Sequence, residues 1–386
     1  MLVNHHADVI GSMLRPGYLW EAKAALDAGR ISAEEFKRIE DRAVDAAIAL
    51  QEGCGLDAIT DGELRRFSFL DQLLGEIEGG TDKEGAAVRF HAKDPGDDWD
   101  WHPPVTITGR LRARRQITLE EFAYARARAQ RTVKITLPSP VVLYGAWSPE
   151  LSTAAYADPW EMFADAAAIM REEAAALARM GCTYVQIDSP DLGTLIDPEN
   201  RQLRESLGMP TERTLTEGVD IINSVGDVPG VTFGLHLCKG NYESKWIAAG
   251  GYDSTADKIF SWMSNFDVFL LEYDDERSGS FEPLASVPDD KLVILGLVSS
   301  KWAEMEPAET LVARINEAAR CVDLERLGIS TQCGFSPVSI GANLITQDVQ
   351  QRKLELVGQV VRQVWQPRRL SVARPVYRAG HLRADE

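Results

Sequence analysis

The stretch VTFGLHLC, residues 231–238, is an apolar run that ends in two side chains able to ligate a metal, His236 and Cys238. Its Val, Phe and Leu content favours a strand. A run apolar at nearly every position suits a parallel strand buried on both faces. Residues two apart on a strand point to the same side, so the imidazole and the thiol face one way. Two later runs share the design: FDVFLLEYD (266–274) carries Glu272 near its end, and LGISTQCG (327–334) leads into Cys333. Candidates spread from residue 236 to residue 333 can meet only where consecutive strand ends share one rim. A parallel αβ barrel provides that rim, and its strand C-termini are where active sites lie.

Outward from these three runs, eight short apolar segments read as buried strands, at roughly 8–11, 56–60, 133–137, 183–187, 231–236, 267–272, 292–297 and 327–331. Amphipathic stretches separate them. In the clearest, 33–53, Ser32 stands as N-cap with Glu35 three residues on; others span 159–181, 303–320 and 346–365. Strand alternating with helix implies βαβ units. The expected fold class is α/β, a (β/α)8 TIM barrel filling residues 1–386 as one domain. A polar excursion at 80–118 breaks the rhythm after the second strand and is expected to hold a hairpin of RFHAKD against PVTITGRL. Residues 367–386 read as a C-terminal arm or an oligomer contact.

Composition narrows the function. There is no apolar run long enough for a membrane span, and MLVNHHADVIGSMLRP lacks the features of a secretory signal. Five cysteines, an odd number, point to reduced thiols and a cytoplasmic setting. A net charge of −18 disfavours nucleic acid and anionic membranes as partners. The one basic cluster, RLRARRQ at 110–116, sits in the excursion. Small molecules are the expected partners, with a homo-oligomer possible.

Two thiolates, an imidazole and a carboxylate suit Zn²⁺ in tetrahedral geometry. Alternatively, His236 and Glu272 are polar rim residues and the cysteines small buried hydrophobes. Four such residues at three strand ends favour the metal. Two anionic sulfurs and a carboxylate overcompensate the cation, which makes it a weak Lewis acid for water but a good partner for an electron-rich thiolate. Alkyl transfer to sulfur is therefore preferred over hydrolysis.

The motifs HLCKGN (236–241), FLLEYDDERSG (269–279) and TQCGFS (331–336) resemble the catalytic domain of the cobalamin-independent methionine synthase family. So do IGSMLRP (10–16), TDGELRR (60–66), YVQIDSPDL (184–192) and LGLVSSKWAE (295–304). The likeness runs over nearly the whole chain and points to short homologues without the amino-terminal duplicate domain. It implies zinc on His236, Cys238, Glu272 and Cys333. It also implies homocysteine held through its carboxylate by Ile10, Gly11 and Ser12, and through its ammonium by Glu63 and Asp188. Glu272, as a labile ligand, and Asp188 are the residues implied in catalysis. The methyl donor implied is 5-methyltetrahydrofolate, and Trp147 could support it or simply pack. Two positions depart from the family: LVSSKWAE has no imidazole after the seventh strand, and Ser189 stands where an acid is usual. The general acid is thus unassigned. A zinc-dependent thiol alkyltransferase of the epoxide and coenzyme M kind remains open, as do a metal-free decarboxylase-like barrel and a non-catalytic zinc module.

Overall fold

Seven strands form one parallel sheet in chain order: β1 (Ala58–Ile59), β2 (Thr132–Pro138), β3 (Tyr184–Asp188), β4 (Thr232–Leu237), β5 (Val268–Glu272), β6 (Leu292–Val298) and β7 (Leu327–Thr331). The computed structural model describes residues 6–66, 68–94, 96–337 and 343–366. The expected arm at 367–386 lies outside them.

The first expected strand, 8–11, is reduced to a single parallel bridge between Ala7 and Ile329. It still closes the ring. Asp8 N–H donates to Ile329 O (3.1 Å), Ile329 N–H to His6 O (2.8 Å), and on the other side Asp57 N–H donates to Ala7 O (2.9 Å). The ladder is short because the Asp57 carboxylate takes the N–H groups of His6 (3.1 Å) and Ala7 (3.0 Å), satisfying backbone that a longer strand would pair. The α/β barrel expectation holds, with its eighth member drawn down to a bridge.

Apolar side chains line both faces of the sheet. Ile10, Val268, Leu270, Leu292 and Ile294 pack inside the ring, while the larger core lies between strands and helices. The helix Ala33–Cys54 begins with a capping box, Ser32 and Glu35 bonding each other's backbone N–H, and buries Val44, Ala47 and Ile48. A Val or Ile side chain fully buried in this way contributes roughly 1.5–3 kcal/mol. The helices Pro159–Arg179 and Gln347–Val364 fall close to expectation. The one expected at 303–320 spans Ala308–Ala318, because Pro307 at its N-cap has no N–H to extend the helix backward and disfavours helix in the residue before it.

The excursion pairs differently from the expected hairpin. Residues 88–90 pair antiparallel with 99–101, and 77–81 pair with 106–113. The cause is local: Gly96 adopts φ 97° within KDPGDD, turning the chain back before it can reach PVTITGRL. PVTITGRL instead crosses 77–81 so closely that a Cβ on Gly79 would lie 2.7 Å from Gly109 O. No described helix is long and apolar enough to cross a membrane.

Candidate metal centre

β4 delivers His236 and Cys238 to the rim, and the turn after β7 delivers Cys333. Their ligand atoms lie within 4.8 Å of one another, and all three residues are buried. The two sulfurs are 3.4 Å apart. His236 bonds Leu270 O through Nδ1 at 3.2 Å, which fixes the proton there and leaves the Nε2 lone pair free to coordinate. Nε2 is buried and has no hydrogen-bond partner beyond the Cys238 thiol beside it, an unusual condition for an interior polar atom. An ion among these three atoms would satisfy it. With no cation between them, the Cys333 sulfur and then burial push the Cys238 thiol far above its usual range; a bound divalent ion reverses that balance.

Glu272, expected as the fourth ligand, stands outside the group of three. Its Oε1 accepts from Lys301 Nζ at 3.1 Å and its Oε2 from Lys239 N–H at 2.8 Å. Burial raises its pKa, but Lys301, Lys239 and Arg277 more than offset this and hold the carboxylate below its ordinary value. Burial likewise works against the Lys301 ammonium, which Glu272 and Asp274 keep charged. Lys301, from the VSSK segment that lacks the family imidazole, is fully buried beside Glu272.

The strand ends that precede β4 carry the acids. In TDGE, Asp61 Oδ1 accepts from Glu63 N–H (2.8 Å) and Thr60 Oγ1 from Gly62 N–H (3.1 Å). Asp61 is thus the turn residue, and it holds Glu63 at a left-handed φ of 53°. Glu63 Oε1 accepts from Thr136 Oγ1 at 2.7 Å. Gly11 makes room for it, since a Cβ there would lie 2.2 Å from that oxygen. Asp188, paired with His236 in the sheet register, accepts from Gln186 Nε2 at 2.6 Å. Gln186 Oε1 accepts from Lys134 Nζ (2.7 Å), and Lys134 in turn donates to Asp8 Oδ1 (2.7 Å). Lys can only donate, so the Gln186 amide must turn its NH₂ toward Asp188. Burial pushes Asp188 up to about 6; His236 and the Gln186 bond oppose the rise, and Glu63 adds to it.

Both groups face one cavity of about 120 Å³, lined by Ile10, Ser12, Glu63, Asp188, His236, Cys238 and Cys333 among others. Ser12 Oγ accepts from Ser336 N–H at 3.2 Å. Trp147 is buried in the apolar core and does not line the cavity. Sequence reasoning missed Thr136, Gln186, Lys134 and Lys301. The signal was there: polar residues at alternate positions in TVKIT and YVQID mark an inward face at odds with an apolar strand. It also missed Asn241, which donates to Gly334 O (2.8 Å) and Ser300 Oγ (3.1 Å) and so ties the HLCKGN loop to the Cys333 turn.

The class defined here is an α/β barrel whose rim brings His236, Cys238 and Cys333 within reach of one metal ion, with Glu63 and Asp188 lining the same cavity. The chain belongs to the cobalamin-independent synthase family, whose catalytic-domain model matches residues 7–343. It is 35% identical over 368 residues to YxjH, an uncharacterized protein of Bacillus subtilis (strain 168), covering 93% of this chain and 94% of that one. It is 24% identical over 330 residues to a methionine synthase of Thermococcus kodakarensis, covering 85% of each. Its fold is that of a B12-independent methionine synthase of Shewanella sp. W3-18-1, with a TM-score of 0.73 at 19% identity over 93% of this chain and 98% of that chain.

Proposed function

We propose that the protein is a zinc-dependent S-methyltransferase that moves a methyl group onto the thiol of an amino-acid acceptor such as homocysteine, giving methionine. The observation that carries this reading is the cavity's charge pattern. The sulfur and imidazole donors share the cavity with the carboxylates of Glu63 and Asp188, Asp188 standing on the strand next to His236, and no Lys or Arg is among its described lining residues. An acceptor with both a thiol and an ammonium matches both sets of groups. An acceptor with a sulfonate, such as coenzyme M, would find its anion facing carboxylates, so that alternative is disfavoured.

His236, Cys238 and Cys333 would hold the ion, and the family relation together with the soft donor set supports zinc. Bound there, zinc would lower the pKa of an incoming thiol and keep it nucleophilic at neutral pH. Glu272 is the proposed fourth ligand when no thiol is present; Lys301 and the Lys239 N–H receive its carboxylate when it yields that place. Glu63 and Asp188 orient the acceptor by its ammonium, while Ile10, Gly11 and Ser12 face its carboxylate. Sulfur then attacks the methyl carbon in line, and the pair from the breaking bond goes to the donor nitrogen, which must be protonated to leave. The donor type in the family is 5-methyltetrahydrofolate.

X-ray absorption at the zinc edge tests this reading. Adding homocysteine should raise the sulfur neighbours from two to three. An unchanged sulfur count in the presence of saturating homocysteine would rule out the thiol as a ligand.

A further inference from the structure

The cavity has a further wall that neither the metal nor the acids use. The hairpin 88–90/99–101 of the excursion folds over the rim and joins the loop that follows the metal strand. His91 N–H donates to Trp246 O (2.6 Å) and Trp246 N–H to His91 O (3.1 Å). Trp99 stacks on Tyr242 with centroids 5.0 Å apart, and Phe90 packs against the same ring at 5.9 Å. On its other side the excursion is tied to the loop after β2, where Ala86 N–H donates to Gly145 O (3.0 Å). Val88, Phe90 and Ile247 form an apolar cluster of their own, with Trp101 and Tyr242 against it. Phe69, Leu70, Val88, Phe90, Trp101 and Ile247 all line the same cavity as the metal-binding residues. Hydrogen-bonded to loops on both sides, this roof forms part of the cavity wall.

We propose that this roofed compartment binds the part of the methyl donor that carries the transferred carbon, and that it selects donors with an uncharged, apolar or aromatic body. The inference rests on the acceptor reading above and extends it to the donor. Two observations support it. The wall is built from aromatic and aliphatic side chains. Among the described lining residues no Lys or Arg is available to meet an anion, and the charged groups that are present, Glu63 and Asp188, would repel one. The cavity here therefore offers no counter-charge for a polyanionic tail, and a donor's anionic groups must lie outside the roof or be lacking.

Product analogues test this directly, because the S-substituent of a homocysteine thioether projects from the sulfur toward the donor side. Calorimetric binding to the metal-loaded protein should be measured for methionine, S-ethyl-, S-propyl- and S-butyl-homocysteine, and for S-(3-carboxypropyl)-homocysteine. Burial of each added methylene should tighten binding about three- to fourfold, and the terminal carboxylate should cancel the gain. Phe90→Ala should reduce the gain to less than about twofold per methylene; Leu70→Ala, in a different segment, serves the same purpose should the hairpin variant fail to fold. Affinity that is flat or falling along the alkyl series, or a carboxylate that binds as tightly as the butyl group, would overturn the proposal while leaving the acceptor reading intact. If homocysteine and every thioether fail to bind, both fall.

Discussion

The two sets of polar groups in the cavity are built on opposite principles. At the metal centre, the buried His236 Nε2 has no hydrogen-bond partner beyond the Cys238 thiol beside it, and the two thiols lie 3.4 Å apart. Among the acids, a buried chain of bonds from Asp8 through Lys134 and Gln186 sets the orientation of Asp188, while Thr136 holds Glu63. One set is left incomplete within the protein and so is made for something from outside. The other is pre-organised, so that its carboxylates need no rearrangement when an ammonium arrives. Glu272 lies between these two conditions, close enough to the thiols to influence Cys238 yet saturated by Lys301 and the Lys239 amide. An unsatisfied group is thus a stronger pointer to a ligand than a charged one.

The comparison can be broken most severely at the incomplete set. Cys238→Ser or Cys333→Ser should bring metal content from one ion per chain to below about a tenth, and turnover down by at least about a thousandfold, because a lost thiolate cannot be replaced by a hydroxyl. Cys54→Ser should change neither. Burial pushes the Cys54 thiol up to about 11, with Glu355 adding to the rise, and it lies away from the cavity. Metal analysis with thiol-consumption kinetics checks all three; full zinc and turnover in the Cys333 variant would refute the centre.

The pre-organised set should respond more mildly and without loss of metal. Glu63→Gln removes one charged partner of the ammonium, worth about 1.5–3 kcal/mol, so homocysteine should bind roughly 10- to 100-fold more weakly. Retention of zinc would separate the two sets cleanly, whereas co-loss of zinc would merge them. The smallest effect concerns pH. Asp188 must be ionised to receive an ammonium, and burial raises it to about 6. As pH falls through that value it protonates, so affinity at pH 5 should be about tenfold weaker than at pH 7.5. A thiol without the amine, 4-mercaptobutanoate, should show no such loss once metal content is matched; an equal loss for both thiols would place the titration elsewhere.

Much of this was legible before any fold was known. The seven sheet strands lie where short apolar runs predict them, and the Ser32–Glu35 capping box marks a helix start to the residue. Both follow from local chemistry: hydrophobic periodicity, and orphan amides that need an oxygen. The excursion was misread because two hairpins compete for the same β-prone segments, and the turn at Gly96 settles the pairing before the longer loop can close. The partner of Glu272 could not be read at all, since Lys301 stands 29 positions away and only the parallel pairing of β5 with β6 brings their rim ends together.

The amino-acid order by itself determined the class of fold, the soft N,S,S donor set and the presence of acids on the same rim, because residue type and strand parity are local properties. Which of those acids faces the cavity, which is bound by a lysine instead, and which face of the excursion closes the roof were decided only in three dimensions. These depend on buried groups far apart in the chain finding partners for every charge, and burial makes an unmatched charge too costly to leave.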